Sequence, residues 1–116
     1  MRIKIILVLW MLAALSLHGI GQQTAEDWLK KGDALYDQGN YTEAIRAYDE
    51  AITLDPEDVY AWYNKGWALY SLGNYTEAIQ AFDEAIRLDP EYAGAWTSKG
   101  IAFDEQGNYT EAIQCY

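Results

Sequence analysis

The chain has 116 residues, enough for one small domain. Eight Lys and Arg stand against eighteen Asp and Glu, a formal net charge of −10 that repels phosphate backbones and anionic lipid and so argues against nucleic acid or a membrane surface as partner. A single cysteine, Cys115, rules out an intrachain disulfide, so the fold must rest on packing, with the thiol as a small apolar filler on a helix face and a reactive or partner-linking thiol as the alternative.

The first segment, residues 1–21, differs in character from the rest of the chain. Arg2 and Lys4 precede an apolar run, Ile5 to Leu17, broken only by Ser16. As a helix that run spans roughly 20 Å, short of the ~20 apolar residues that a bilayer core requires. Gly19 and Gly21 put small residues where a signal peptidase would cut before Gln22. Residues 1–21 therefore read as a secretory signal peptide, and the mature chain as secreted or extracytoplasmic. The alternative is a retained membrane anchor through residues 5–17, again with the rest of the chain outside. No stable membrane span is expected after processing. His18, the sole histidine, lies in this segment.

From Ala25 onward the chain repeats. Gly-Asn-Tyr-Thr-Glu-Ala-Ile occurs at Gly39–Ile45, Gly73–Ile79 and Gly107–Ile113, a period of 34 residues. A fixed period of this size marks a solenoid, in which each unit buries its apolar face against the next. The units are 25–58, 59–92 and an incomplete 93–116.

Each unit opens on a helical stripe: Trp28, Gly32 and Leu35, then Trp62, Gly66 and Leu69, then Trp96, Gly100 and Phe103. Steps of four and three share one helix face, extended by Ala34, Ala68 and Ala102. A mid-helix glycine costs about 1 kcal/mol relative to alanine, so its recurrence implies a neighbour too close for a side chain. Gly-Asn then ends the first helix. The second helix carries Tyr41, Ala44, Ile45, Tyr48, Ala51 and Ile52 in the first unit, and Tyr75, Ala78, Ile79, Phe82, Ala85 and Ile86 in the second. Asp55-Pro56 and Asp89-Pro90 stop it, since proline disfavours helix before it and lacks a backbone donor. The fold class is all-α: helix, tight turn, helix, stop.

Trp62, Gly66, Leu69, Tyr75, Ala78, Phe82, Ala85 and Pro90 succeed one another at the offsets of a known pattern. In this the chain resembles the tetratricopeptide repeat family from Ala25 to Tyr116. The resemblance implies a right-handed superhelical stack of antiparallel helix pairs whose first helices line a concave groove for protein or peptide segments. One departure is Lys31, Lys65 and Lys99, where an apolar residue is common in the family. Lysines there are expected to pack their stems and hold their amines in water.

Groove positions taken from the resemblance are Glu26, Leu29, Lys30, Asp33 and Tyr36 in the first unit. The second gives Tyr60, Tyr63, Asn64, Trp67 and Tyr70, and the third Thr97, Ser98, Ile101 and Asp104. The partner-binding candidates are Tyr36, Tyr60, Tyr63, Asn64, Trp67, Tyr70 and Ile101, an aromatic floor with acidic rims. For Tyr36, Tyr63 and Tyr70 the competing reading is packing between neighbouring first helices. Some family members hold a C-terminal carboxylate with Lys, Asn and Arg. The matching positions here are Leu29, Asp33, Gly94 and Ser98, and only Asn64 fits, which argues against that mode. The expected ligand is a neutral-to-basic, partly apolar peptide or protein segment, with glycan binding through the same aromatics as the alternative.

Asn40, Asn74 and Asn108 each begin an Asn-Tyr-Thr triplet, a formal glycosylation acceptor, although duplicated turn chemistry accounts for the pattern more simply. No catalytic constellation is evident. Asp49-Glu50 and Asp83-Glu84 lack an opposing partner in sequence and read as solvated helix surface, and neither a phosphate-cradling loop nor metal-ligand spacing occurs. The reading is a non-enzyme without cofactors. The third unit stops short of its Asp-Pro, leaving Ile113 and Tyr116 to face an absent neighbour. This suggests a fragment of a longer array, or self-association through the unfinished unit.

Overall fold

A computed structural model describes residues 22–116; the expected signal segment and His18 lie outside the described residues. Among the described residues six helices succeed one another: α1 (Ala25–Asp37), α2 (Tyr41–Leu54), α3 (Val59–Ser71), α4 (Tyr75–Leu88), α5 (Ala93–Glu105) and α6 (Tyr109–Cys115). Each packs against the next, and the first helices of successive units, α1, α3 and α5, also touch one another. Among the described residues no helix is long and apolar enough to cross a membrane.

Local chemistry sets the helix ends. Thr24 caps α1 through a reciprocal capping box: the Asp27 amide donates to Thr24 Oγ1 at 3.1 Å, and the Thr24 amide donates to Asp27 Oδ2 at 3.0 Å. These hydrogen bonds, the backbone one foremost, hold the Asp27 carboxyl below its ordinary pKa. Asp58 caps α3 by accepting from the Tyr60 and Ala61 amides at 3.0 and 3.3 Å. Each first helix ends in a Schellman motif. Gly39 sits at φ +79°, its amide donates to the Tyr36 carbonyl, and the Asn40 amide reaches the Leu35 carbonyl, both at 2.9 Å. Gly73 and Gly107 repeat the conformation.

Alanines fill the crossings. Ala44, Ala51, Ala61, Ala68, Ala78, Ala85, Ala95, Ala102 and Ala112 are all fully buried. Their small side chains let helix axes approach, and larger groups close the gaps around them. Tyr48 and Phe82 are the largest fully buried side chains. Their rings occupy the space where Cβ atoms on Gly32 and Gly66 would stand, and Tyr116 does the same at Gly100. The sequence expectation of a close neighbour at the mid-helix glycines therefore holds, and the neighbour is an aromatic ring from the second helix of the same unit or, for Tyr116, from the residue just past it. One edge of the Tyr116 ring thus meets Gly100 of its own unit, but Tyr116 remains 62 % exposed and Ile113 73 % exposed, the two side chains that the sequence left facing an absent neighbour.

The lysines depart from expectation. Lys65 Nζ lies 2.6 Å from Asp49 Oδ1, and Lys99 Nζ lies 2.6 Å from Asp83 Oδ1, with lysine side chains only 23 % and 20 % exposed. Their stems pack as expected, but the amines meet a carboxylate of the preceding unit instead of water alone. Asp49 and Asp83 are correspondingly tied across the joint and are not merely solvated surface. Lys31, Lys65 and Lys99 also stand over Trp28, Trp62 and Trp96, with Nζ 4.7, 5.4 and 5.6 Å from the ring centroids. The Trp62 and Trp96 indole N–H groups donate to the carbonyls of Pro56 and Pro90 at 3.1 and 2.9 Å. The Asp-Pro stop, the next tryptophan and its lysine thus form one joint.

Candidate functional site

The first helices α1, α3 and α5 touch in succession along one side of the stack, the side that the resemblance assigns to the groove. Between the first two lies a depression of about 640 Å³ lined by Asp33, Tyr36, Asp37, Tyr48, Tyr63, Asn64 and Trp67. Four of the partner-binding candidates, Tyr36, Tyr63, Asn64 and Trp67, are brought together there.

Asp33 organises the polar wall. Its Oδ1 accepts from the Tyr48 hydroxyl at 2.8 Å and from Asn64 Nδ2 at 3.0 Å, joining both helices of the first unit to the second unit. Burial, reinforced by the hydrogen bond to Asp33, pushes the Tyr48 phenol well above the ordinary tyrosine range. Asn64 is thereby oriented as a donor toward Asp33.

The Tyr63 and Trp67 rings of the depression belong to a longer run of aromatic contacts. Tyr92 and Tyr63 lie 5.0 Å apart by centroid, Tyr63 and Phe82 5.9 Å, Phe82 and Trp67 5.9 Å, Trp67 and Tyr70 5.2 Å, and Tyr70 and Tyr75 5.2 Å. All are tilted or edge-on, the geometry that aligns positive ring edges with negative faces. Trp67 is half-buried: packing fixes its orientation and leaves part of the indole facing the depression.

The tyrosines on first helices bridge units as well as line the surface. The Tyr36 and Ser71 hydroxyls share a hydrogen bond at 3.3 Å, and the Tyr70 hydroxyl donates to Glu105 Oε1 at 3.3 Å. The Ser98 hydroxyl donates to the Gly94 carbonyl at 2.7 Å and lies 3.5 Å from the Tyr63 hydroxyl. Burial, with Glu105 adding to it, raises the Tyr70 pKa; burial and the neighbouring Tyr63 raise that of Tyr92.

The other candidates fall elsewhere. Tyr60 is 63 % exposed beside Tyr92, at a smaller hollow of about 150 Å³. Tyr70 adjoins Trp67 without lining the depression, and Ile101 is half-buried on α5. Ser98, read from the resemblance as groove surface, is only 2 % exposed, with its hydroxyl bonded back to α5 and the Tyr63 hydroxyl 3.5 Å away. Asp37 and Tyr48 line the depression without being sequence candidates. Tyr48 sits on the apolar stripe of α2. The one signal in the sequence is an acid fifteen residues earlier, Asp33, on the groove face of α1, which gives the hydroxyl an acceptor on the concave side. Asn40, Asn74 and Asn108 are exposed at the turns, and Asn40 and Asn108 donate at 3.3 Å to Gln38 and Gln106.

The tetratricopeptide repeat model matches residues 29–93 and 73–116. The chain belongs to the tetratricopeptide repeat family.

Among solved structures, the second tetratricopeptide repeat domain of Spaghetti (RPAP3), bound to the HSP90 peptide SRMEEVD, superposes with a TM-score of 0.77 at 29% identity, covering 80% of this chain and 86% of that one. The TPR2B domain of yeast Sti1, in complex with pHsp70, gives 0.77 at 30% identity, covering 78% and 73%. MamA gives 0.78 at 29% identity over 79% of this chain, which spans 54% of MamA. A comparison with curated proteins finds no match. The family and these structures make this chain a protein-interaction scaffold in broad class.

Proposed function

We propose that this tetratricopeptide repeat protein is a non-catalytic adaptor that seats an extended segment of a protein partner on its concave side, centred on Trp67. The observation that supports this most strongly is the depression between α1 and α3, where a half-buried indole and three tyrosines stand beside hydrogen-bonding side chains. Rigid aromatic rings lose little entropy on binding and accept apolar and polar contacts together. Two structurally similar domains are known in complex with an HSP90 peptide and with pHsp70. The leader-like pattern of residues 1–21 supports action outside the cytoplasm.

The ligand chemistry differs from a carboxylate-binding groove. The depression presents Asp33 and Asp37 and no basic residue, so a neutral-to-basic segment fits and an acidic tail is repelled. Selecting a phage-displayed random dodecapeptide library on the full chain tests the reading. Selected peptides should lose at least tenfold in affinity on Trp67→Ala. Peptides that bind the variant unchanged would place the binding surface elsewhere.

A further inference from the structure

The depression between α1 and α3 holds more than an apolar anchor site. Asp33 and Asp37 stand one helical turn apart on α1 and line a cavity together with Tyr36 of the same helix and Tyr63 and Trp67 of α3. Asp33 engages Tyr48 and Asn64 through Oδ1, and its second carboxylate oxygen has no protein donor among the described residues. The ion pairs of the described residues involve Lys30, Arg46, Lys65, Arg87 and Lys99, and none reaches Asp33 or Asp37. Lys30, one turn before Asp33, is engaged by Glu26 at 2.9 Å. Two carboxylates thus face an aromatic-walled cavity with no cation from the described residues.

We propose that this cavity is a pocket for one arginine side chain of the partner segment, an inference that rests on the concave-groove reading above. A guanidinium is planar. It can lie against the face of Trp67 or Tyr63 while donating in-plane hydrogen bonds to the free oxygen of Asp33 and to Asp37. The volume of about 640 Å³ admits the side chain with flanking backbone. The hydrogen bonds from Tyr48 and Asn64 fix the Asp33 carboxylate before the ligand arrives, which reduces the ordering cost of binding. The pocket belongs to the joint between units one and two, because the matching joint one period on has Trp67 and Ile101 in place of Asp33 and Trp67. The overall charge of −10 adds long-range attraction for the same partner.

The test uses peptides from the dodecapeptide selection on the full chain. The expected result is that arginine is enriched at one position. Replacing that arginine by citrulline, which keeps shape and removes charge, should weaken binding at least tenfold, and replacing it by lysine should weaken it less. Asp37→Asn, at an exposed residue with no structural hydrogen bond, should weaken binding three- to tenfold, and Asp33→Asn more. If peptides that require Trp67 lack arginine, or tolerate both citrulline and Asp37→Asn, the arginine pocket is wrong and the groove reading stands. If the selected peptides tolerate Trp67→Ala, or no peptide is selected, both readings fall.

Discussion

Lys65 of α3 reaches back to Asp49 of α2 at 2.6 Å, and Lys99 of α5 repeats the contact with Asp83 of α4 at the same distance. The pair recurs because the period carries both residues, and it crosses the boundary between units each time. Each lysine also lies over the tryptophan whose indole holds the preceding Pro carbonyl. A departure from the family's usual apolar residue is thus a tie between neighbouring units.

The pair is half-exposed, so its worth is modest. A double-mutant cycle on Lys65→Met and Asp49→Ala should give a coupling of about 0.5–1 kcal/mol by urea unfolding, shrinking in high salt. A coupling of zero would make the contact incidental.

Gly66 is expected to tolerate no side chain. A Cβ there meets the ring of Phe82, which is fully buried and has nowhere to retreat. Gly66→Ala should cost about 1–3 kcal/mol despite alanine's better helix propensity. Gly73→Ala tests a different cause: nothing lies near its Cβ, but φ is +80°, so about 1 kcal/mol of backbone strain is expected. Denaturant titrations should show both losses.

The first two units solve one packing position in two ways. Unit one pairs Tyr48 with Asp33, and unit two pairs Phe82 with Trp67. Phe82→Tyr alone would bury a hydroxyl beside an indole with no acceptor, at about 1–3 kcal/mol. Adding Trp67→Asp should recover part of that loss. If the double variant is less stable than the sum of the singles, the equivalence fails.

Alkaline pH should weaken the fold. Tyr48 is held above the ordinary tyrosine pKa by burial and Asp33, and Tyr116 is pushed up to about 12, foremost by its hydrogen bond to Asp104 at 2.6 Å. A raised folded-state pKa means the unfolded chain loses its proton first. The stabilisation is therefore complete below pH ~10 and declines as pH rises through the folded values. Unfolding followed by circular dichroism should show stability falling above pH ~10, less steeply in Tyr48→Phe.

The stack was legible in the sequence because it depends on residues that recur: Trp62 and Trp96, the mid-helix glycines and the Asp-Pro stops report helix faces and ends wherever they fall. The depression was legible only in part. Trp67 and Asn64 sit on the face that the family resemblance assigns to the groove, but neither the resemblance nor the period says where a hydroxyl ends. Tyr48 looks apolar by register, yet its hydroxyl crosses to Asp33. Ser98 looks exposed by register, yet it bonds its own helix. Lys65 and Asp49 come together only once two units are stacked, a contact that no single-helix pattern contains.

Partners are expected to seat against Trp67 on the concave side, and the most direct measurement is amide chemical-shift mapping of the full chain with the tightest peptide from the dodecapeptide selection. The largest shifts should fall at Tyr36, Asp37, Tyr63, Asn64 and Trp67. Shifts concentrated instead on the second helices, around Glu43, Gln80 and Glu84, would contradict binding in the groove.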